Sequence, residues 1–249
     1  MAYAFDFVSV LDYTDVLVKG IAVTAQLTLT GGVLGVAVAV AGAWAKTQGP
    51  AWLRAVVGTY VELIRNTPFL IQLFFIFFGL PSLGVHLPEM VAASLAMVIN
   101  LGAYGTEIVR AGLDSVPRGQ LEAAECLGLS TWRIRWHVML QPSIEKVYPA
   151  LTSQFLLMMQ ASAMASQISA EELTAVANTV QSDTFRSLET YIVVALLYLA
   201  LSLVIKAAAA LLGHWLFRRK RVIAAARRAA LALPVRARDA GALVPKGIA

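Results

Sequence analysis

The sequence predicts an all-α membrane protein with five transmembrane helices, the N-terminus outside and the C-terminus inside. A polar helical loop on the inner side joins the third and fourth spans. Three observations carry this reading. First, the chain is 59% hydrophobic and only 14% charged, with a mean hydropathy of +0.71. A soluble domain carries about 25% charged residues, whereas in lipid each charge is costly and every backbone group must bond internally. Second, five stretches of about 20 residues are nearly free of charge, the length needed to cross a bilayer as a helix, and none alternates with the two-residue period of a strand. Third, Lys and Arg collect in alternate connections, as they do on the cytoplasmic side of a membrane.

The chain opens MAYAFDFVSVLDYTD, with Asp6, Asp12 and Asp15 and no basic region. A cleavable signal peptide requires positive charge there, so none is read. Span one covers residues 20–45 without a charge. Span two covers 55–80, where Glu62 and Arg65 precede the apolar block TPFLIQLFFIFFGL. Span three covers 90–106 and extends to 109; span four covers 147–170; span five covers 191–217, interrupted by Lys206. Lys46 and Arg54 lie between spans one and two. Arg110, Arg118, Arg133, Arg135 and Lys146 surround the loop between three and four, and Arg218, Arg219, Lys220 and Arg221 follow span five. The 81–89 loop has no Lys or Arg, and the 171–189 connection is acidic through Glu171, Glu172, Asp183 and Glu189. Arg186 stands alone against those acids, and on the N-terminal side only Lys19 opposes this orientation, which places residues 114–146 in the cytoplasm. Five spans do not divide into the two equal inverted repeats of many secondary transporters, so a pathway is expected between two chains. Residues 1–218 form the membrane domain. The basic tail 219–249, rich in Ala and Arg, is expected to rest on anionic lipid or to be disordered.

The 114–146 loop is the anomaly. Pro117 stops span three, Gly119 can open a new element, and QLEAAECL is built of strong helix formers, with Glu122 near the positive helix end. Gly128 is placed as a C-terminal stop and Ser130 as an N-cap for a second short helix, TWRIRWHVML. In that helix Trp132, Trp136, Met139 and Leu140 share one face, with Ile134 and Val138 as a smaller strip behind. This pattern alone admits a helix lying on the lipid surface.

Polar groups inside spans cost several kcal/mol when unpartnered, by order of magnitude. Glu62 with Arg65, and Glu107 with Arg110, are three apart and read as local ion pairs. Gln72, Asn100, Tyr104, Gln154, Gln160 and Ser162 lie deeper. For Asn100, flanked by Gly102, Ala103 and Gly105, bonding between helices and lining of a cavity remain equal alternatives. No catalytic or metal-binding set is read: Cys126 is the only cysteine, His86, His137 and His214 are scattered, and no H-E-x-x-H occurs. No G-x-x-x-x-G-K-[ST] phosphate loop occurs either, so nucleotide hydrolysis would belong to another chain.

The residues Glu122-Ala123-Ala124, then Gly128 after three positions, then Val138-Met139-Leu140 after nine more, resemble the EAA loop of ATP-binding cassette (ABC) importer permeases. Val116-Pro117-Arg118-Gly119-Gln120 looks like that family's lead-in. The departure is Gln141 ahead of Pro142, where the family places proline straight after the leucine. TYVELIRNTPFLIQLFFIFFGLP (59–81), INLGAYGTEIVRAGLDSVPRGQ (99–120) and SAEELTAVANTVQSDTF (169–185) resemble the polar amino-acid branch, and the likeness covers residues 18–218. The resemblance implies a permease subunit in a bacterial inner membrane that moves a polar amino acid by ATP-driven alternating access. Gly119, Glu122, Ala123, Ala124, Gly128, Arg133 and Arg135 would couple it to an ATPase subunit dimer. That dimer would bind ATP and Mg, and this chain would carry no cofactor. Further partners implied are a second permease chain, identical or different, a periplasmic or lipid-anchored amino-acid-binding protein, and membrane lipids; nothing points to nucleic acid. Gln72, Asn100, Tyr104, Gln160 and Ser162 would line the substrate pathway. Where the branch often carries a Lys-Asp pair for the substrate's charged ends, this chain has Gln160 and Ala161. The competing reading is an ion-coupled secondary transporter or channel subunit. It calls for charge at mid-membrane, and spans one and four have none.

Overall fold

A computed structural model describes residues 5–217, and every regular element among them is helical. The chain divides into two compact units, Met1–Ala207 and Ala208–Ala249; the expected tail, 219–249, lies outside the described residues. In chain order the helices are α1 (Val8–Leu11), α2 (Thr14–Gln48), α3 (Ala51–Arg65), α4 (Phe69–Phe74), α5 (Glu89–Asp114), α6 (Arg118–Cys126), α7 (Thr131–Arg133), α8 (Gln141–Ala161), α9 (Leu173–Thr184) and α10 (Ser187–Leu216).

Three helices, α2, α5 and α10, are long and apolar enough to cross a membrane, and α3 with Phe69–Leu83 makes a fourth if its bent halves count as one span. The 35 residues of α2 measure about 52 Å at 1.5 Å per residue. That exceeds the roughly 30 Å hydrocarbon core, so its polar ends reach past it. Two of the expected spans are not continuous helices. The second is broken at residues 66–68 by a bend of 111°. Pro68 has no N–H to continue the α3 ladder and disfavours helical backbone at Thr67. Asn66 and Thr67 instead turn their side chains back onto the carbonyls of Glu62 and Leu63 at 2.7 and 2.9 Å. The expected fourth span starts earlier than read, at Gln141, and α8 gives way at Ala161 to a 3-10 segment, Ser162–Ile168, that ends on Ser169 at φ 66°.

Small residues let α2 and α5 approach closely, as membrane helices do in the absence of a hydrophobic drive between them. A Cβ added at Gly35 would sit 2.8 Å from the Leu101 Cβ, and one at Gly105 2.6 Å from that of Ala39. Around this seam Leu27, Leu73, Met97, Leu101 and Ile168 form the largest buried cluster. Towards the C-terminal end of α2, Ala43, Val109, Leu113 and Leu151 form another, against which Met139, Leu140 and Val147 pack.

Glu172 binds α2, α9 and α10 together at the other end. Fully buried, it caps α9 by accepting the Thr174 and Ala175 N–H groups at 2.8 and 3.0 Å. Its second oxygen accepts from the hydroxyls of Tyr198 at 2.6 Å and Thr24 at 3.4 Å. Burial pushes this carboxyl above its ordinary value of 4.5, against the pull of those hydrogen bonds. Nearby, Asp6 accepts from the Ser9 hydroxyl at 2.6 Å, which holds its carboxyl below the usual range. Arg186 lies 3.9 Å from Asp6 and 3.8 Å from the buried Glu189.

Candidate coupling segment and polar core

The loop between α5 and α8 is almost wholly helical. Pro117, with extended backbone, is the N-cap of α6, so the helix opens at Arg118 and Glu122 lies one turn inside it. Gly119, Glu122 and Ala123 are exposed, and only Ala124 of α6 is buried. α6 ends as the sequence suggests: Gly128 takes φ 70°, its N–H reaches the Glu125 carbonyl at 2.9 Å, and the Leu129 N–H reaches that of Ala124 at 3.2 Å. Left-handed backbone is cheap for glycine and costs other residues about 1–2 kcal/mol. No atom lies within 4 Å of a Cβ placed there, so the turn requires glycine for backbone reasons alone.

Ser130 is the N-cap of α7 by backbone only, with no side-chain bond. Beyond it the expected second short helix, TWRIRWHVML, does not stand alone. α7 passes through a π-helical turn, Ile134–Leu140, straight into α8. Pro142 sits in the first turn of α8, where its missing N–H matters least. The wider turn also changes the faces. Ile134, on the strip read as minor, is the buried member, whereas Trp132 and Trp136 are 69% and 50% exposed and stack at 5.9 Å. Arg133 is exposed; Arg135 is half-buried, with its guanidinium over the Trp44 ring at 5.7 Å.

Beside this segment an ion-pair chain joins α2 to α5. Lys46 Nζ reaches Glu107 at 2.6 Å, and Arg110 bridges Glu107 at 2.8 Å and Asp114 at 2.6 Å. The Glu107–Arg110 pair was legible from its spacing; the contribution of Lys46 was not, because it depends on helix packing. Glu62 and Arg65 form no such pair among the described residues. Arg65 instead covers the Tyr104 ring at 5.5 Å, and the Tyr104 hydroxyl donates to the Arg65 carbonyl at 3.3 Å.

The polar core lies at the α3–α4 bend. Gln72 donates to the Ile64 carbonyl at 2.7 Å and to the Thr67 carbonyl and hydroxyl, both at 2.9 Å. Its oxygen accepts from Asn100 Nδ2 at 2.8 Å. Gln72, Asn100 and Tyr104 thus meet around one bend. Gln160 and Ser162 make no hydrogen bond to them: Ser162 is buried and donates to the Met159 carbonyl at 2.6 Å, whereas the Gln160 side chain is exposed and has no partner among the described residues. Glu172 is the residue that sequence reasoning missed. It entered there only as part of an acidic connection, because glutamate is not among the residues favoured at a helix N-cap.

Known proteins supply context for this geometry. The L-cystine transport system permease protein TcyB of Bacillus subtilis (strain 168) is 35% identical over 161 residues, covering 65% of this chain and 69% of its own. The glutamine transport system permease protein GlnP of Escherichia coli (strain K12) is 30% identical over 203 residues, covering 81% and 93%. A crystal structure of an amino acid ABC transporter with histidines superposes with TM-score 0.77 and 34% identity, over 85% of this chain and 99% of that one. Residues 31–218 match one family model across the α2–α5 seam, the segment from α6 to α8 and α10, and the chain belongs to that family, the binding-protein-dependent transport system inner membrane components.

Proposed function

We propose that this chain is the permease subunit of an ABC importer that carries a polar amino acid, or a close analogue such as cystine, across a bacterial inner membrane. The observation that carries it is the exposed α6 helix, which ends on the left-handed Gly128 and is followed by a helical rod running without a break from Thr131 to Ala161. A rod of that kind transmits a push at α6 to the middle of the membrane, which suits a chain driven from outside itself. In this reading α8 with its 3-10 extension supplies a fifth crossing, and the N-terminus lies outside. ATPase subunits that bind ATP and Mg dock on Gly119, Glu122, Ala123 and Arg133 from the cytoplasm, while the buried Ala124 seats α6 on its own chain. A second permease chain completes the pathway, and a binding protein delivers substrate at the outer face. Closure of the ATPases draws the two α6 segments together and switches access. Gln160, exposed and unpartnered, is the pathway residue best placed for substrate. Gln72, Asn100 and Tyr104 spend their groups on the bend and act on the pathway by holding its shape.

The test is Gly128→Val in the reconstituted importer. A branched residue in left-handed backbone costs about 1–2 kcal/mol, so coupled uptake should fall about tenfold while the ATPases still hydrolyse ATP. Unchanged uptake at normal expression would count against the coupling role. Uptake by the purified chain without ATPases would favour the secondary-transporter reading instead.

A further inference from the structure

Three of the chain's five tryptophans meet at one crevice: Trp44 near the end of α2, and Trp132 and Trp136 around α7. Indole rings collect at the headgroup level of a bilayer, where one edge is wet and the body apolar. Trp44, Trp132 and Trp136 line a crevice of about 540 Å³ between α2 and the coupling rod, walled on its apolar side by Val40, Ala41, Leu53 and Leu140. That volume falls within the range of about 300–1,000 Å³ for ligand sites. Arg135 is the only charged residue lining the crevice. Unlike Lys46 and Arg110, which Glu107 and Asp114 neutralise, Arg135 has no carboxylate or hydrogen-bond partner among the described residues. Its one recorded contact is the Trp44 ring. A guanidinium carries five N–H donors in a fork that matches phosphate, and here they remain unspent above an apolar cleft.

We infer that this crevice binds one anionic phospholipid of the inner leaflet, its phosphate on Arg135 and an acyl chain against the Val40–Ala41 wall. Arg135 thereby faces lipid rather than the ATPase. A basic group among helix ends on the cytoplasmic side, beside an apolar wall, is the arrangement that captures such headgroups. The bound lipid fills the gap between α2 and Trp132–Trp136, and so braces the rod that carries the coupling turn. The inference rests on the orientation given under the proposed function.

The experiment uses the assembled importer with its ATPases, purified in mild detergent and examined by native mass spectrometry after titration with phosphatidylglycerol or phosphatidylcholine. One phosphatidylglycerol per permease chain should be retained in preference to phosphatidylcholine. Arg135→Gln should reduce that retention about fivefold, the worth of one basic residue near an anionic surface, and Arg135→Lys should restore part of it. Ala41→Trp, which fills the crevice from the opposite wall, should abolish it in material that still unfolds cooperatively. Equal retention of both lipids, or full retention by Arg135→Gln, overturns the site. So does protection of a Leu53→Cys probe, in a Cys126→Ser background, by the ATPase subunits in the absence of lipid; that result would mean a protein occupies the crevice. Orientation is read separately from Gln48→Cys with a membrane-impermeant thiol reagent. Labelling from outside the cell would overturn the orientation itself, whatever the lipid result.

Discussion

Replacing Gln72 with leucine removes the polar plug from the 111° bend between α3 and α4. The side chains are of similar size, so the change isolates hydrogen bonding from packing. Gln72 is 7% exposed and Asn100 6%, so water does not substitute for the lost groups. The two amide hydrogens of Gln72 serve three acceptors, the Ile64 carbonyl at 2.7 Å and the two Thr67 oxygens at 2.9 Å, and its oxygen takes the Asn100 amide at 2.8 Å. The Thr67 hydroxyl keeps a partner in the Leu63 carbonyl; the buried Asn100 amide loses its acceptor. Polar contacts between membrane helices average about 0.6 kcal/mol and reach about 1.7, so four lost contacts give roughly 2–3 kcal/mol. Asn100→Leu removes only the shared bond and should cost about 0.6–1.7 kcal/mol. The double variant should then cost less than the sum of the singles by that shared term. The assay is equilibrium unfolding of the purified protein in mixed micelles across the four-member cycle. Additive costs, or a Gln72→Leu protein within about 0.5 kcal/mol of the parent, would refute the claim that this pair holds the bend.

Gly35→Ile should destabilise by about 1–3 kcal/mol through overpacking, because its Cβ begins 2.8 Å from the Leu101 Cβ; an unchanged thermal midpoint would mean that α2 and α5 do not approach so closely. Glu172→Gln addresses pH. Burial raises this carboxyl above its ordinary 4.5, so its contribution to stability is complete below that value and is lost as pH rises through the raised one. The parent should therefore lose stability from mildly acidic towards neutral pH relative to the variant, and parallel melting curves would show that Glu172 does not titrate there. Gln160→Ala should shift the substrate KM several-fold with no change in thermal midpoint, since the side chain is exposed and unpartnered; an identical KM would move substrate recognition to the second permease chain.

Much of this molecule was legible before any fold was known. The apolar runs marked α2, α5 and α10, because a bilayer imposes length and composition on whatever crosses it. The Gly128 turn was legible because a left-handed position has so few tolerated occupants. The spacing of Glu107 and Arg110 anticipated their pair because three residues bring side chains together on any helix. Where the reading failed, the deciding groups were distant in sequence. Glu62 and Arg65 have the same spacing, yet Arg65 turns to Tyr104, which α5 brings within 5.5 Å.

The sequence alone therefore determined the class of molecule, most of the helices long and apolar enough to cross a membrane, the left-handed turn at Gly128 and the family resemblance, since each depends on local periodicity, charge or a single backbone angle. Tertiary structure alone decided the π turn that merges α7 with α8 and the choice of partners for Gln72, Asn100, Arg135 and Glu172. Those outcomes depend on which polar group, many residues away, packing delivers to a site that water cannot reach, and no local pattern in the chain encodes that.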